Sequence, residues 1–257
     1  MAVLFDQFGV LHDGFTAYDG AKACCKRLAS AGVKLGIISN SGKRAEPNRR
    51  RLASLGFDPA WFDFVLTSGE VAHGMLRALL ADGSLSAGAG VFVLSRGGDV
   101  SSVAGLNLTP VDDPTQAARV LIAGVDADLG LSHYTELLLP AASAGVPAMC
   151  LNPDLHGFTP DGIAFGAGRV AQAYADAGGP VVWIGKPRLT IFEAALTRWG
   201  GMAAEDCLMV GDSPRHDIAG AAAAGLQTCL IAGGVFAEDA EALETCPVPD
   251  FWATALS

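Results

Sequence analysis

The first fifteen residues, Met1 to Phe15, read MAVLFDQFGVLHDGF. The short apolar run Val3-Leu4-Phe5 has the character of a strand buried on both faces, and it delivers one carboxylate, Asp6, before a turn at Gly9. Strand-like and helix-like segments then alternate. A helix is expected over about 21–31, "VKLGIIS" reads as a second strand, a helix follows near 45–55, and "FDFVLTSG" reads as a third strand with its turn. Toward the other end, "PVVWIG", "CLMVGDS" and "LQTCLIAGG" are strand-like, separated by helices over about 190–199 and 217–224. Such alternation implies an α/β protein built on a doubly wound parallel sheet.

Between these two halves, residues 70–180 carry strands of their own: "GVFVLS", "ARVLIAGV" and "VPAMCLN". That segment is long enough to form a separate α/β unit inserted into the first. The expected domains are therefore a discontinuous core, 1–69 with 181–257, and an insert, 70–180.

Composition narrows the partners. The 257-residue chain is 51% hydrophobic with only 7% aromatic residues, and its net charge is −10. That balance argues against nucleic acid or an anionic membrane surface as the main partner, and any anionic substrate needs local positive charge or a metal. The uncharged stretch from Ile218 to Phe236 is broken by Gly220, Gly225, Gly233, Gly234 and Gln227, so it reads as helix, turn and strand rather than a membrane span. The first strand meets Asp6 almost at once, which leaves no room for a secretory leader. The six cysteines show neither metal-ligand spacing nor a disulfide framework, and reduced thiols in a cytoplasm are the expectation. The oligomeric state is left open, a homodimer among the possibilities.

Four places carry chemistry. Asp6 falls just past a buried strand, where open α/β sheets put ligand-contacting residues, although a lone strand-end Asp also serves as a turn or cap. In "GIISNSGKR", Ser39 and Asn40 end the second strand; they can hold phosphate oxygens or simply cap a helix. In "WIGKPRLTIF", Lys186 ends another strand ahead of Pro187, placed to neutralise a phosphoryl group or to be solvated like most lysines. In "MVGDSPRHDIAGA", Asp212 and Asp217 flank a tight turn. Hard oxygens clustered there suit Mg²⁺, and a pair of capping aspartates is the alternative.

In this order the set resembles the haloacid dehalogenase-like (HAD) hydrolase superfamily, whose core is Rossmann-like. The resemblance matches Asp6 to the nucleophile, Ser39 to the phosphate-binding hydroxyl, Lys186 to the charge-neutralising lysine, and Asp212 with Asp217 to the metal-binding acidic turn. The insert matches the type-2 cap, and "GVLHDG", "SNSG", "TSGE", "LNPD" and "IGKP" are similar to the class IIA branch of nitrophenyl, nucleotide and sugar phosphatases.

What the resemblance implies is a phosphatase of small phosphorylated substrates. Asp6 attacks phosphorus to form an aspartyl-phosphate, and Mg²⁺ is held by Asp6, the main-chain carbonyl of Phe8 and Asp212, with Asp217 in or just outside that shell. In the cap, "CLNPDLHGF" corresponds to the stretch that shapes substrate contacts, so Asn152, Asp154 and His156 are substrate-binding candidates, an ordinary polar loop being the alternative.

One position departs from the pattern. The family carries a second aspartate two residues after the nucleophile, and here that place is Phe8. The main-chain metal ligand survives, but the carboxyl that protonates the leaving oxygen and activates water does not. General acid–base catalysis is worth about 10²–10⁴-fold, so esters with good leaving groups are expected to suffer least. His12 is a candidate replacement, against a structural or solvated histidine; the basic run "GKRAEPNRRRL" either draws anions toward Ser39 or forms a solvated helix face. Two further readings compete: a phosphate-binding regulatory protein with vestigial turnover, and a carbon–halogen hydrolase, which also lacks the second aspartate but needs no metal.

Overall fold

The computed structural model describes residues 1–126, 128–159, 162–232 and 240–257. Along the chain the elements begin β1 (Ala2–Phe5), α1 (Ala21–Ser30), β2 (Lys34–Ser39), α2 (Ala45–Ser54), β3 (Phe64–Thr67), α3 (Ser68–Ala81) and β4 (Gly90–Leu94). They continue as β5 (Thr109–Pro110), β6 (Arg119–Ile122), α4 (Leu131–Ser143), β7 (Ala148–Cys150), β8 (His156–Thr159), β9 (Gly162–Phe165), α5 (Ala167–Asp176) and β10 (Val181–Trp183). The last are α6 (Leu189–Arg198), β11 (Cys207–Gly211), α7 (Ala219–Ala223), β12 (Gln227–Ile231), α8 (Ala240–Thr245) and β13 (Phe251–Ala253).

The chain divides into two compact units. The first comprises Met1–Ser39, Ala45–Leu66 and Lys186–Ser257; the second comprises Asn40–Arg44 and Thr67–Gly185. The first holds a six-stranded sheet in the order β13-β12-β11-β1-β2-β3. β1 pairs in parallel with both β2 and β11, and β12 and β13 continue in the same sense. The chain runs from β1 outward to one edge and returns through β11 to the other, so the strand order reverses between β1 and β11. Open α/β sheets bind ligands at the carboxyl ends of the strands beside such a reversal. All four residues of β1 are buried, which is why they read as an unbroken apolar run. Val3, Phe5, Ile37, Val65 and Val210 pack with Ala21 and Cys25 of α1 into one core.

The second unit has its own five-stranded sheet, β10-β7-β6-β4-β5, parallel throughout, and an antiparallel hairpin of β8 and β9. Val120, Ile122, Tyr134, Leu138, Val170 and Tyr174 belong to its core.

The division differs from the expected one at both ends. "PVVWIG", expected to open the returning half of the first sheet, supplies β10, and β10 pairs with β7 in the second sheet. The returning segment of the first unit therefore starts at Lys186 rather than at 181, and Asn40–Arg44 together with residues from Thr67 onward belong to the second unit. An apolar run shows that a strand is buried but not which sheet buries it. The uncharged stretch from Ile218 supplies α7 and β12 as far as Ile231, while its end at Gly233, Gly234, Val235 and Phe236 lies outside the described residues. Among the described residues, no helix is long and apolar enough to cross a membrane.

A glycine within β2 tightens the first sheet. A Cβ at Gly36 would lie 2.6 Å from Cζ of Phe64 and 3.0 Å from Cδ2 of Leu4. The Phe64 ring, itself packed on Trp199 at 4.8 Å between centroids, thus occupies the space of the missing side chain. Gly36→Ala is expected to destabilise the protein by about 1–3 kcal/mol through overpacking. In denaturant titrations, the smaller ring-free side chain of Phe64→Leu should recover part of that loss in the double variant, because the two positions share one space.

Candidate active site

The site begins with the way β1 ends. Phe5 is registered against Val210 on β11 and against Ile37 on β2, and the Asp6 amide still donates to the Val210 carbonyl at 2.9 Å. Asp6 therefore leaves the sheet held by its ladder, with its side chain at the strand-order reversal. One position past β11 comes Asp212, on the other side of that reversal.

The turn after β11 is shaped by its own residues. Ser213 accepts a hydrogen bond from the His216 amide on its Oγ at 3.2 Å, and Pro214 opens a π-helical turn over Pro214–Ile218. Amides of Asp217 and Ile218 both donate to the Ser213 carbonyl, at 2.9 and 3.2 Å. That curl turns the Asp217 side chain back over the strand end, where its Oδ2 accepts from the amides of Asp212 at 3.1 Å and Ser213 at 3.0 Å. Gly211 makes the return possible, since a Cβ there would lie 2.2 Å from Cβ of Asp217. Gly9 does the same for the loop after β1: at φ +91° it passes the Asp212 carboxylate so closely that a Cβ would sit 2.1 Å from Oδ2.

Lys186, the first residue of the returning segment, ties these pieces together. Its Nζ donates to Oδ1 of Asp6 and to Oδ1 of Asp217, each at 2.6 Å. Asp212 and Asp217 are fully buried, Lys186 is 2% exposed and Asp6 9%. Burial, opposed by Lys186 but reinforced by the neighbouring Asp217 and Asp212, holds the Asp6 carboxyl well above the usual carboxylate range. Burial would push the Lys186 ammonium down, but Asp217 and Asp6 outweigh it and raise its pKa. Three carboxylates against one ammonium make a buried cluster with more acids than bases, open to solvent chiefly at Asp6.

That surplus is what a divalent cation relieves. One carboxylate oxygen from each of Asp6, Asp212 and Asp217 can be chosen so that all lie within 4.8 Å of one another. Oxygens around Mg²⁺ at about 2.1 Å lie at most about 4.2 Å apart, so small side-chain adjustments bring hard donors onto one ion. Both oxygens of Asp217 already accept hydrogen bonds, from Lys186 and from two amides, so its main work here is to orient the lysine and the turn.

The remaining expected residues fall as follows. Ser39 is buried at the end of β2, the strand beside β1. Asn40 belongs to the second unit, where its Nδ2 donates to Oδ1 of Asp154 at 2.7 Å, and the Asp154 amide donates to Oδ1 of Asn152 at 3.0 Å. Three expected substrate contacts are thus hydrogen-bonded in one chain, while His156 is exposed at the start of β8. The basic run is engaged locally. Lys43 lies 3.7 Å from Asp99, Arg44 bonds both oxygens of Glu70 at 2.6 and 3.0 Å, Arg50 pairs with Glu46 at 2.9 Å, and Arg51 donates to the Gly14 carbonyl.

His12 does not sit as a solvated histidine. It is 1% exposed, its Nδ1 accepts from the Gly14 amide at 2.9 Å, and burial together with Arg51 lowers its pKa to about 4 despite Asp13. The ring is neutral at pH 7 with its proton on Nε2. Gly9 was expected as the turn after Asp6, whereas Gly211 and Ser213, which also shape the site, were not among the expected residues. Their signal was the run Gly211-Asp212-Ser213, in which both neighbours of the acid are small turn-forming residues.

Comparison with known proteins agrees with this geometry. Residues 3–109 match the haloacid dehalogenase-like hydrolase family and residues 183–256 match a HAD-hydrolase-like family. Chronophin from Bos taurus is 32% identical over 250 residues, covering 93% of this chain and 84% of chronophin. A haloacid dehalogenase-like hydrolase structure from Brucella suis superposes with TM-score 0.85 at 28% identity, covering 100% of this chain and 95% of that one. The structure of a glycerol phosphate phosphatase from Mycobacterium tuberculosis in complex with magnesium superposes with TM-score 0.78 at 27% identity, over 99% of this chain and 75% of that one. The chain belongs to the haloacid dehalogenase-like hydrolases, in the branch that contains these phosphatases.

Proposed function

We propose that the protein is a Mg²⁺-dependent phosphatase of small phosphorylated metabolites that works through an aspartyl-phosphate on Asp6. The observation that carries this reading is the buried arrangement in which Lys186 bridges Asp6 and Asp217 at 2.6 Å beside Asp212. In this reading Asp6 is the nucleophile, and Lys186 fixes the orientation of its carboxylate while offsetting charge on the incoming phosphoryl group. Ser39, at the end of the adjacent strand, donates its hydroxyl to a phosphoryl oxygen. Asp6, the main-chain carbonyl of Phe8 and Asp212 hold the cation, with Asp217 just outside; when bound, Mg²⁺ supplies Lewis-acid stabilisation of the phosphoryl oxygens. The magnesium complex of the mycobacterial relative supports the choice of metal, and that relative's name supports small organic phosphates as the substrate class. Asn40, Asp154 and Asn152 brace the second unit, and His156 is the exposed candidate for substrate contact there.

A phosphate-binding protein without turnover is the second reading, and Phe8 is the observation that favours it. Asp6→Asn separates the two. On the enzymatic reading it reduces phosphate release from p-nitrophenyl phosphate to background, because no carboxylate remains to attack. Steady release by that variant, or none by wild type with Mg²⁺ present, would count against a phosphatase.

The metal assignment has its own test. Asp217→Asn is expected to weaken Mg²⁺ binding about 10–100-fold in calorimetric titration, as loss of a group that orients metal ligands does. Asp212→Asn, which removes a direct ligand, should weaken it further. Equal affinity in all three proteins would show that the cation binds elsewhere.

A further inference from the structure

The loop after Asp6 is built around the Phe8 ring. Gly14 stands at φ +99°, and a Cβ there would lie 3.1 Å from Cε2 of Phe8, so the ring fills the space beside the glycine. His12 presents itself edge-on to the same ring, with 6.2 Å between centroids and 87° between planes. Backbone bonds close the loop over this pair: Gly9 donates to His12, Leu11 and His12 donate to Gln7, and Tyr18 donates to Leu11. Position 8 is therefore an organised apolar position.

Gln7, His12, Asp13 and Lys186, polar residues near Phe8 or Asp6 in sequence or space, are each already engaged. The Asp13 carboxylate is tied to the amides of Phe15 and Thr16, each at 2.7 Å. His12 is buried and spends Nδ1 on the Gly14 amide. The Lys186 ammonium is held between two carboxylates. Gln7 reaches toward Asn48 on α2 at 3.3 Å, and an amide is no acid.

We propose that the enzyme is matched to phosphoryl donors whose leaving oxygen departs as a stable anion, namely acyl phosphates and phosphoanhydrides. The inference rests on the phosphatase reading above and narrows its substrate class. In the first step an Asp6 oxygen bonds to phosphorus, the bond to the leaving oxygen breaks, and its electron pair leaves with that oxygen. A carboxylate (pKa about 4) or a phosphate (pKa about 6) keeps the pair unprotonated at pH 7, whereas an alkoxide cannot. In the second step water attacks phosphorus and the bond to Asp6 breaks, returning the carboxylate. The proton lost by water goes to solvent or to the departing phosphate, because Phe8 offers no carboxylate to accept it. That step is then slow and common to all donors, so phosphorylated Asp6 accumulates with donors whose first step outruns it.

Wild-type enzyme with Mg²⁺ is assayed on acetyl phosphate, p-nitrophenyl phosphate and glycerol 3-phosphate, with acid quench and intact-mass analysis. The expected result is kcat/KM higher for acetyl phosphate than for glycerol 3-phosphate by about 10²–10⁴-fold, and a one-phosphoryl mass gain that maps to Asp6 during turnover. Phe8→Asp should narrow the gap and shrink the trapped phosphoenzyme. Values of kcat/KM within tenfold of each other for the two donors in wild type would overturn this inference while leaving the phosphatase reading intact. Absence of both turnover and mass gain with every donor would overturn both.

Discussion

The bond between one ammonium and two carboxylates organises the first unit. Lys186 reaches Asp6 at the end of β1 and Asp217 in the turn after β11, so one buried cation joins three segments widely separated in sequence. Burying these charges is costly, and the contacts offset that cost only while every member is present; removing one partner from such a group typically costs about 3–5 kcal/mol. The residue that joins the segments is also the first residue of the returning segment, so the insertion of a whole second unit ahead of it leaves the site intact as long as Lys186 arrives in place.

The backbone around this cation is arranged to bring acids unusually close. Side chains at positions 9 and 211 would collide with Asp212 and Asp217, so the sequence provides glycine at both. Asp217 then caps its own turn, accepting from two amides with one oxygen and from Lys186 with the other. A carboxylate with both oxygens hydrogen-bonded inside the protein is a rigid support, which fits the proposal that Asp6 and Asp212 are the acids that face a cation. Division of labour among the three follows from hydrogen-bond geometry rather than from residue type.

Much of this could be read before any coordinates. Asp6, Lys186 and Asp212 each follow closely on an apolar run, and a charge placed at the end of a buried strand is conspicuous because burying it is expensive. Five strands of the first sheet, β1, β2, β3, β11 and β12, were visible for the same reason. Less legible was what depends on distant pairing. β10 is a three-residue strand whose middle residue, Val182, is exposed, and nothing in "VVW" states which sheet it joins. β5 ends in a proline and β13 has only three residues, both too short to show a period. Asn40 and Asp154 read as substrate contacts, yet they bond each other across 114 residues; an amide that braces a loop and one that binds phosphate use the same donors.

Phe8 belongs to the same loop that carries Gly9 past Asp212, so the close approach to that carboxylate and the apolar position are set by one stretch of backbone. An acid at position 8 would have placed a fourth carboxylate two residues from Asp6, whose pKa is already raised by burial and by two neighbours. Each added negative charge makes it harder to bring a phosphoryl dianion into a site of low dielectric. Replacing the acid by a benzyl group lowers that repulsion and gives up proton transfer. The exchange is favourable only for a leaving group that carries its own charge away. In the proposed reaction, the physical character of residue 8 thus sets which half the protein accelerates well and which it leaves to water.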